Sequence, residues 1–385
     1  MDIAPLKGIK VLDATQGIAG PYCGTLLTRY GADVVKIEPP SGDWGRYMGK
    51  TAGGHSALSA VYNVGKRGMV LDLKKLEAVE LFLELAEQCD VVMESSRPGV
   101  ADRIGIGYEQ VKARNGSVVY LSVSGFGEFG PYAERPLTDT IAQAFSGLMS
   151  NNLGMDGIPH KIDIPVVDVC TGLYAYQAVS MALMARAQTG EGRYCAVSLM
   201  GSIAEVQAPK LIDYHLEGGP PKMINAPAGA YMARDGYVAL TTLNDAHYAN
   251  VCRAIGAEHL IEDPRYLRPA DRIENNLALR RDIEALLATD TREAWVKKLQ
   301  AADALADQVN DLGDWMKNPH VRATQGFTMT EQPGLGMIPR PAPAAGSIAN
   351  TTPAPTMGQD TDGILAGFGL DAKRIAALRE TGAIR

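Results

Sequence analysis

The feature that most restricts the fold is a rhythm in the first third of the chain. Short β-branched runs (GIKVLDA from Gly8, ADVVKIE from Ala32, GMVLDL from Gly68, DVVMESS from Asp90, VVYLSVSGF from Val118) alternate with helix-patterned stretches, such as those from Gly20 to Gly31 and from Lys75 to Cys89. Strands separated by helices read as βαβ units, and hence as a mostly parallel, doubly wound sheet. After Phe126 the pattern becomes mainly helical, with apolar residues at three- and four-residue spacing over 138–150, 169–188 and 198–215, interrupted by the strand-like GRYCAVSLM. A hairpin is expected in GAYMARDGYVALTTL, turning at Arg234-Asp235-Gly236. Amphipathic helices over 245–255 and 274–300 follow. At 385 residues the chain exceeds one ordinary core. The reading is α/β, with a large domain from 1–215 and 330–385 and a smaller central α+β domain over 225–325. The proline-rich tract 339–355 reads as an extended linker or crossing arm, because proline sustains neither helix nor central strand.

Several function classes are disfavoured. Hydrophobic residues at 46% and charged residues at 21% are near the globular average, which argues against disorder. The N-terminus has no basic start followed by a sustained apolar run, and no stretch reads as long enough to span a bilayer, so a cytoplasmic location without a membrane partner is expected. Five cysteines lie far apart with no CxxC pair, the pattern of reduced thiols. A net charge of −7 disfavours nucleic acid. The six histidines show no HExxH or other ligand spacing, so no metal site is expected. Ser124 in SVSGFG lacks the G-x-S-x-G of a nucleophile elbow, since Ser122 and Phe126 occupy the glycine positions. The glycines from Gly125 to Gly130 follow a strand, but Pro131 stops the helix that would receive a pyrophosphate. Asp168, between an apolar segment and a long apolar helix, is either a helix cap or a functional carboxylate. Asp163 has a similar local claim.

The chain resembles the class III CoA-transferases, which include formyl-CoA:oxalate and crotonobetainyl-CoA:carnitine transferases. The residues that carry the likeness run in order from Leu6-Lys7-Gly8 through Asp13, Ala19-Gly20-Pro21, Asp33 to Glu38, Gly42-Asp43, Lys66-Arg67, Leu71 to Lys74 and Asp90 to Glu94. They continue through Arg97-Pro98-Gly99, Asp102-Arg103, Ser124 to Gly127, Gly130-Pro131-Tyr132, Asp139, Gln143, Ser146-Gly147, Asp168, Gly172 and Thr189 to Gly192. The resemblance implies a Rossmann-like large domain, a smaller central domain and a homodimer of two chains threaded like linked rings. It places the nucleophilic aspartate at Asp168, which forms an aspartyl-CoA thioester on the way from an acyl-CoA donor to a carboxylic acid acceptor. Coenzyme A is then a co-substrate, and no permanently bound cofactor is needed.

By motif position, the resemblance places coenzyme A against Ile18, Ala19, Leu71, Asp72, Leu73, Lys74, Ser95, Ser96, Arg97 and Arg103. Nearer the thioester it places Arg135, Pro136, Leu137 and Thr138. The pattern departs in three places. Ile18 stands where formyl-CoA transferase has a glutamine, with Gln16 two residues earlier; Pro39 stands where it has an arginine; and only Gly218-Gly219 stands in the region of its four-glycine loop. Formyl-CoA and oxalate are therefore disfavoured as the pair; the residues leave a short dicarboxylate or a branched acid open as acceptor, and the resemblance, in which that exchange is frequent, implies a succinyl-CoA donor with a small dicarboxylate acceptor. An α-methylacyl-CoA racemase shares the fold but needs a second acid–base, a histidine at the position of Thr138. A non-catalytic CoA-binding protein is the remaining alternative.

Overall fold

A computed structural model describes residues 4–154, 156–344 and 350–385. The chain divides into two units, residues 1–208 with 327–385, and residues 209–326.

The first unit is built on six parallel strands: β1 (Lys10–Asp13), β2 (Asp33–Glu38), β3 (Arg67–Val70), β4 (Val91–Glu94), β5 (Val119–Ser124) and β6 (Arg193–Ser198). They lie in the order β3-β2-β1-β4-β5-β6. The strands read as near-continuous apolar runs because both faces are covered. One face carries Leu12, Val92 and Tyr120 under Leu81, Phe82 and Leu85 of a helix over Leu76–Glu87, and under Ile364, Leu365 and Ile384 of the C-terminal segment. The other face carries Val11, Val91 and Leu121 under α1 (Ala19–Arg29) and a long helix over Val166–Thr189, through Cys23, Leu27, Ala175 and Val179. The chain end joins this unit through main-chain pairing of Leu71 with Ile384 and through the Asp360 carboxylate, which accepts the Gly68 N–H at 2.8 Å.

The second unit has a three-stranded antiparallel sheet. Its strands Ala228–Ala233 and Gly236–Thr241 form a hairpin with Gly236 opposite Ala233, as the Asp-Gly signal predicts, and Leu305–Gln308 pairs with the second strand. Helices Asp245–Ala254, Asn276–Leu287 and Arg292–Ala301 pack on it around Tyr231, Tyr248, Leu279, Ile283 and Trp295.

Local signals move several expected boundaries. The helix expected over 138–150 runs only over Asp139–Phe145, and Gly147 follows it in the left-handed region at φ 83°. The helix expected over 198–215 is two, Leu199–Val206 and Ala208–Glu217. The stretch 274–300 is likewise broken, and Thr291 restarts the chain as a helix by accepting the Ala294 N–H on its hydroxyl. Of the proline-rich tract, Pro339 and Pro341 lie in a strand, Gly336–Pro341, paired with Phe327–Gln332; each strand of a two-stranded sheet has an open edge, where proline is tolerated. Residues 345–349 of the tract lie outside the described residues. The expectation that no stretch is long and apolar enough for a membrane also fails for Val166–Thr189, a 24-residue helix that contains an 18-residue window with a mean hydropathy of 1.3. It passes that test by length and composition, while one stripe of it, Val167, Thr171, Ala175 and Val179, is closed in the core.

Candidate active site

In strand order the chain leaves β1 and β4 in opposite directions, so a crevice opens beyond their carboxyl ends. A cavity of about 550 Å³ lies there, lined by Ala14 and Gln16 after β1, by Ser95, Ser96 and Arg97 after β4, by Ser124 and Gly125 after β5, and by Ile18, Trp44, Leu137 and Asp168. Among these, Asp168 is the only carboxyl group, and Arg97 the only cation.

The floor of the crevice is held by buried ion pairs. Lys36 meets Asp43 at 2.9 Å, Lys66 meets Asp13 at 2.8 Å and Arg46 meets Glu38 at 2.6 Å, all with side chains at most 3% exposed. Most of these charges belong to the motifs that carry the family likeness, and here they serve the loop between β1 and α1. Lys66 also donates to the Pro21 carbonyl at 2.8 Å, Lys36 to the Thr15 carbonyl, and Asp43 accepts the Gly17 N–H at 2.9 Å. Ser95 Oγ accepts the Gln16 N–H at 2.9 Å, which ties that loop to the one after β4. Burial makes each charge costly unless paired, and each of the six has an ion-pair partner within 3 Å. Gly17, at φ +82°, lies against Trp44: a Cβ there would meet the indole at 2.0 Å. Trp44 is a lining residue that sequence reasoning missed; its signal is the Gly42-Asp43 turn, whose Asp43 caps the 3-10 turn that begins with Trp44.

Asp168 is the third residue of the helix over Val166–Thr189, whose preceding residue, Pro165, supplies no side-chain cap. The helix therefore starts three residues earlier than expected, and Asp168 is not its cap. That role falls to Asp139, at the start of the helix over Asp139–Phe145, whose Oδ2 accepts the Val167 N–H at 2.8 Å and the Asp168 N–H at 3.2 Å. Among the described residues no donor reaches the Asp168 carboxylate itself. Burial, and second the Asp139 charge, push its pKa up from 3.8 to about 7. Asp163, the competing carboxylate, points to solvent on Lys161 at 2.7 Å, which lowers its pKa.

Of the residues expected against coenzyme A, the cavity brings together Ile18, Ala19, Ser95, Ser96, Arg97 and Leu137 with Asp168. It does not include Leu71, Asp72, Leu73, Lys74, Arg103, Arg135, Pro136 or Thr138. Leu71 is 1% exposed in the core under the C-terminal segment, so its side chain is closed to a ligand. Arg135 lies over the rings of Phe126 and Tyr132 at 5.6 and 5.4 Å, and Thr138 precedes Asp139 without capping through its side chain. Among the described residues there is no cluster of three metal-ligating side chains.

This arrangement of strands and crevice is matched by known proteins. The family model described as CoA-transferase family III matches residues 6–361. The chain belongs to this family. CoA-transferases are enzymes whose co-substrates are CoA thioesters, so the crevice is the place to seek their chemistry. The chain is 34% identical over 328 residues to an acetyl-CoA:oxalate CoA-transferase of Acetobacter aceti, covering 83% of this chain and 84% of the relative. It is 32% identical over 339 residues to a succinate–glutarate CoA-transferase of Agrobacterium fabrum, covering 83% of each. A crystal structure of a CAIB/BAIF family protein from Brucella suis superposes with a TM-score of 0.84 at 30% identity, over 94% of this chain and 99% of that one.

Proposed function

We propose that this CoA-transferase works through Asp168 as a covalent nucleophile. The observation that carries the reading is the single acid–base group in the cavity, Asp168, with its carboxylate unengaged and its pKa near 7. A carboxylate of raised pKa is the stronger nucleophile, and near neutrality a substantial fraction of it is ionised.

Asp168 attacks the carbonyl of the donor thioester; the C–S bond breaks, coenzyme A leaves as thiolate, and a mixed anhydride remains. The thiolate attacks the aspartyl carbonyl and expels the donor as its free carboxylate, leaving aspartyl-CoA thioester. The acceptor carboxylate attacks that thioester, releases the thiolate and forms a second anhydride. Attack of the thiolate on the acceptor carbonyl gives the new acyl-CoA and restores Asp168. Each step exchanges groups of similar energy, so neither ATP nor a metal is required. Racemisation of an α-carbon needs two acid–base groups on opposite faces, and the cavity lining supplies one.

Succinyl-CoA as donor and a small dicarboxylate as acceptor fit the polar lining of Gln16, Ser95, Ser96, Arg97 and Ser124. The Agrobacterium relative and a human relative, a succinyl-CoA:glutarate CoA-transferase 29% identical over 376 residues, support the same choice. Arg97 and Arg103 are the cations assigned to the coenzyme phosphates. An interlocked homodimer would cover the outward face of the long helix, where Leu173, Met181 and Met184 are about half exposed. Five free cysteines accord with a cytoplasmic location.

The test is trapping. The protein is incubated with a panel of acyl-CoA donors, then with hydroxylamine, and peptides are mapped by mass spectrometry. A hydroxamate on Asp168, absent from Asp168→Ala, supports the reading and ranks the donors. Deuterium exchange at the α-carbon of a branched acyl-CoA without any adduct would overturn it.

A further inference from the structure

From the contacts at the start of the long helix, we infer that Asp139 is the positioning residue for Asp168, holding its main chain and leaving its carboxylate free to react. The inference rests on the covalent role proposed for Asp168.

The first four N–H groups of a helix have no partner within it, and an aspartate in the first turn ordinarily turns its own carboxylate back toward them. Here Pro165 contributes no capping side chain, so that demand would fall on Asp168. Asp139 takes it instead, from a separate helix: one oxygen accepts both the Val167 and Asp168 N–H groups. Its other oxygen accepts from Gln143 Nε2 at 2.6 Å, one helical turn on. Gln143 is 1% exposed and is itself clamped to residue 162, accepting the Ile162 N–H at 2.8 Å and donating to the Ile162 carbonyl at 3.1 Å. The segment that enters the long helix is thus fastened on both sides of Pro165 by one Asp–Gln pair. Released from the backbone, the Asp168 side chain lines the cavity.

The same geometry places a second negative charge behind the nucleophile. The charged and titratable groups around Asp168 are Asp139 behind it and Tyr62 from the element packed alongside, with Arg97 lining the same cavity. Of these, Asp139 is the anion that raises the Asp168 pKa, adding to burial. The residue that frees the carboxylate therefore also makes it more basic.

Asp139→Asn and Asp139→Ala separate the two effects. The carboxamide oxygen of Asn can still accept both N–H groups, but the charge is gone, and so is the hydrogen bond from Gln143 Nε2, a loss that Asp139→Ala shares. The Asp168 carboxyl is titrated directly, by infrared difference between each protein and the same protein carrying Asp168→Asn, alongside the pH profile of kcat/KM for transfer. Asp139→Asn is expected to move the Asp168 titration and the acidic limb of the profile to lower pH together, by about one unit. Asp139→Ala is expected to cut kcat at least about tenfold beyond Asp139→Asn, with KM for the donor changed less. A titration of Asp168 in Asp139→Asn that coincides with the parent would overturn the inference, as would full kcat in Asp139→Ala. If no donor labels Asp168 in the parent, the covalent reading fails while the infrared titration still decides the role of Asp139. Should Asp139→Ala not fold, the titration and pH limb of Asp139→Asn carry the decision.

Discussion

Asp43 and Gly17 are joined beneath the crevice: one oxygen of the buried carboxylate accepts the Gly17 N–H at 2.9 Å while the other meets Lys36 at 2.9 Å. Through this link the turn after β2 dictates the course of the loop between β1 and α1, whose residues Gln16 and Ile18, with Ala19 at the start of α1, line the cavity. The Asp43 pKa is lowered despite the burial that opposes ionisation, because Lys36 and the Gly45 and Gly17 amides all favour the anion. The ion pairs beneath the site are therefore scaffolding for main chain rather than reagents.

Removing one partner of such a pair leaves the other charge buried and unpaired. Asp43→Ala is expected to lower stability by about 3–5 kcal/mol, read from urea unfolding. Because it also frees Gly17, KM for acyl-CoA should rise in the fraction that folds. A variant as stable as the parent would mean that Lys36 finds another partner, and the scaffold role of Asp43 would be wrong.

Gly172 sits one turn beyond Asp168, where the long helix crosses α1. A Cβ at this position would lie 2.8 Å from the Ala19 carbonyl oxygen and 2.9 Å from the Tyr22 ring. Carbonyl oxygen of a helix cannot swing aside as a side-chain tip can, so Gly172→Ala should push the two helices apart. The expected cost is about 1–3 kcal/mol, measured by thermal unfolding, together with a fall in kcat, since Asp168 and Ala19 line the same cavity. Unchanged kcat with lowered stability would show that the crossing does not set the site.

How far the site was legible differs from residue to residue. The parallel sheet followed from the β-branched runs, because strands covered on both faces need unbroken apolar sequence. Helix ends were less legible: Gly147 and Thr291 stop or restart helices through local geometry that apolar spacing does not encode. Asp168 could be singled out as a carboxylate at an apolar helix start, yet its local sequence could not exclude capping. What excludes it is Asp139, 29 residues away in the chain, and no local pattern shows such a contact. Leu71 shows the opposite limit, since a motif that suggests ligand contact can place its side chain in the core.

Arg97 lines the cavity, and among the described residues it has no ion-pair partner, so its charge is available to a ligand. Removing a charge-assisted contact to a phosphate or carboxylate costs roughly 1.5–3 kcal/mol, so Arg97→Ala should raise KM for acyl-CoA or acceptor about tenfold or more. Stability and kcat should hold, because the side chain is exposed. Leu71→Ala should do the reverse, losing about 2–5 kcal/mol of stability through a cavity in the core with little change in KM at matched folded protein. Initial-rate kinetics with each substrate varied in turn show which side of the exchange Arg97 serves; no change in either KM would remove it from the binding site.

The raised pKa of Asp168 makes the site a cost to folding that depends on pH. Below pH 3.8 the carboxyl is protonated in both the folded and unfolded chain and contributes nothing. Between 3.8 and about 7 the unfolded chain loses this proton while the folded one retains it, so the contribution of this carboxyl to stability falls as pH rises. Above about 7 the folded form ionises as well, and the penalty stays constant. Asp168→Asn keeps the shape of the side chain and cannot ionise, so it should be the more stable protein at pH 8, by on the order of 3–4 kcal/mol, with an advantage that shrinks steadily toward pH 5. Urea unfolding of parent and variant across that range isolates this carboxyl, because every other titrating group is common to both. A difference that is flat with pH would place the Asp168 pKa near that of a solvated aspartate and remove the electrostatic basis for its reactivity.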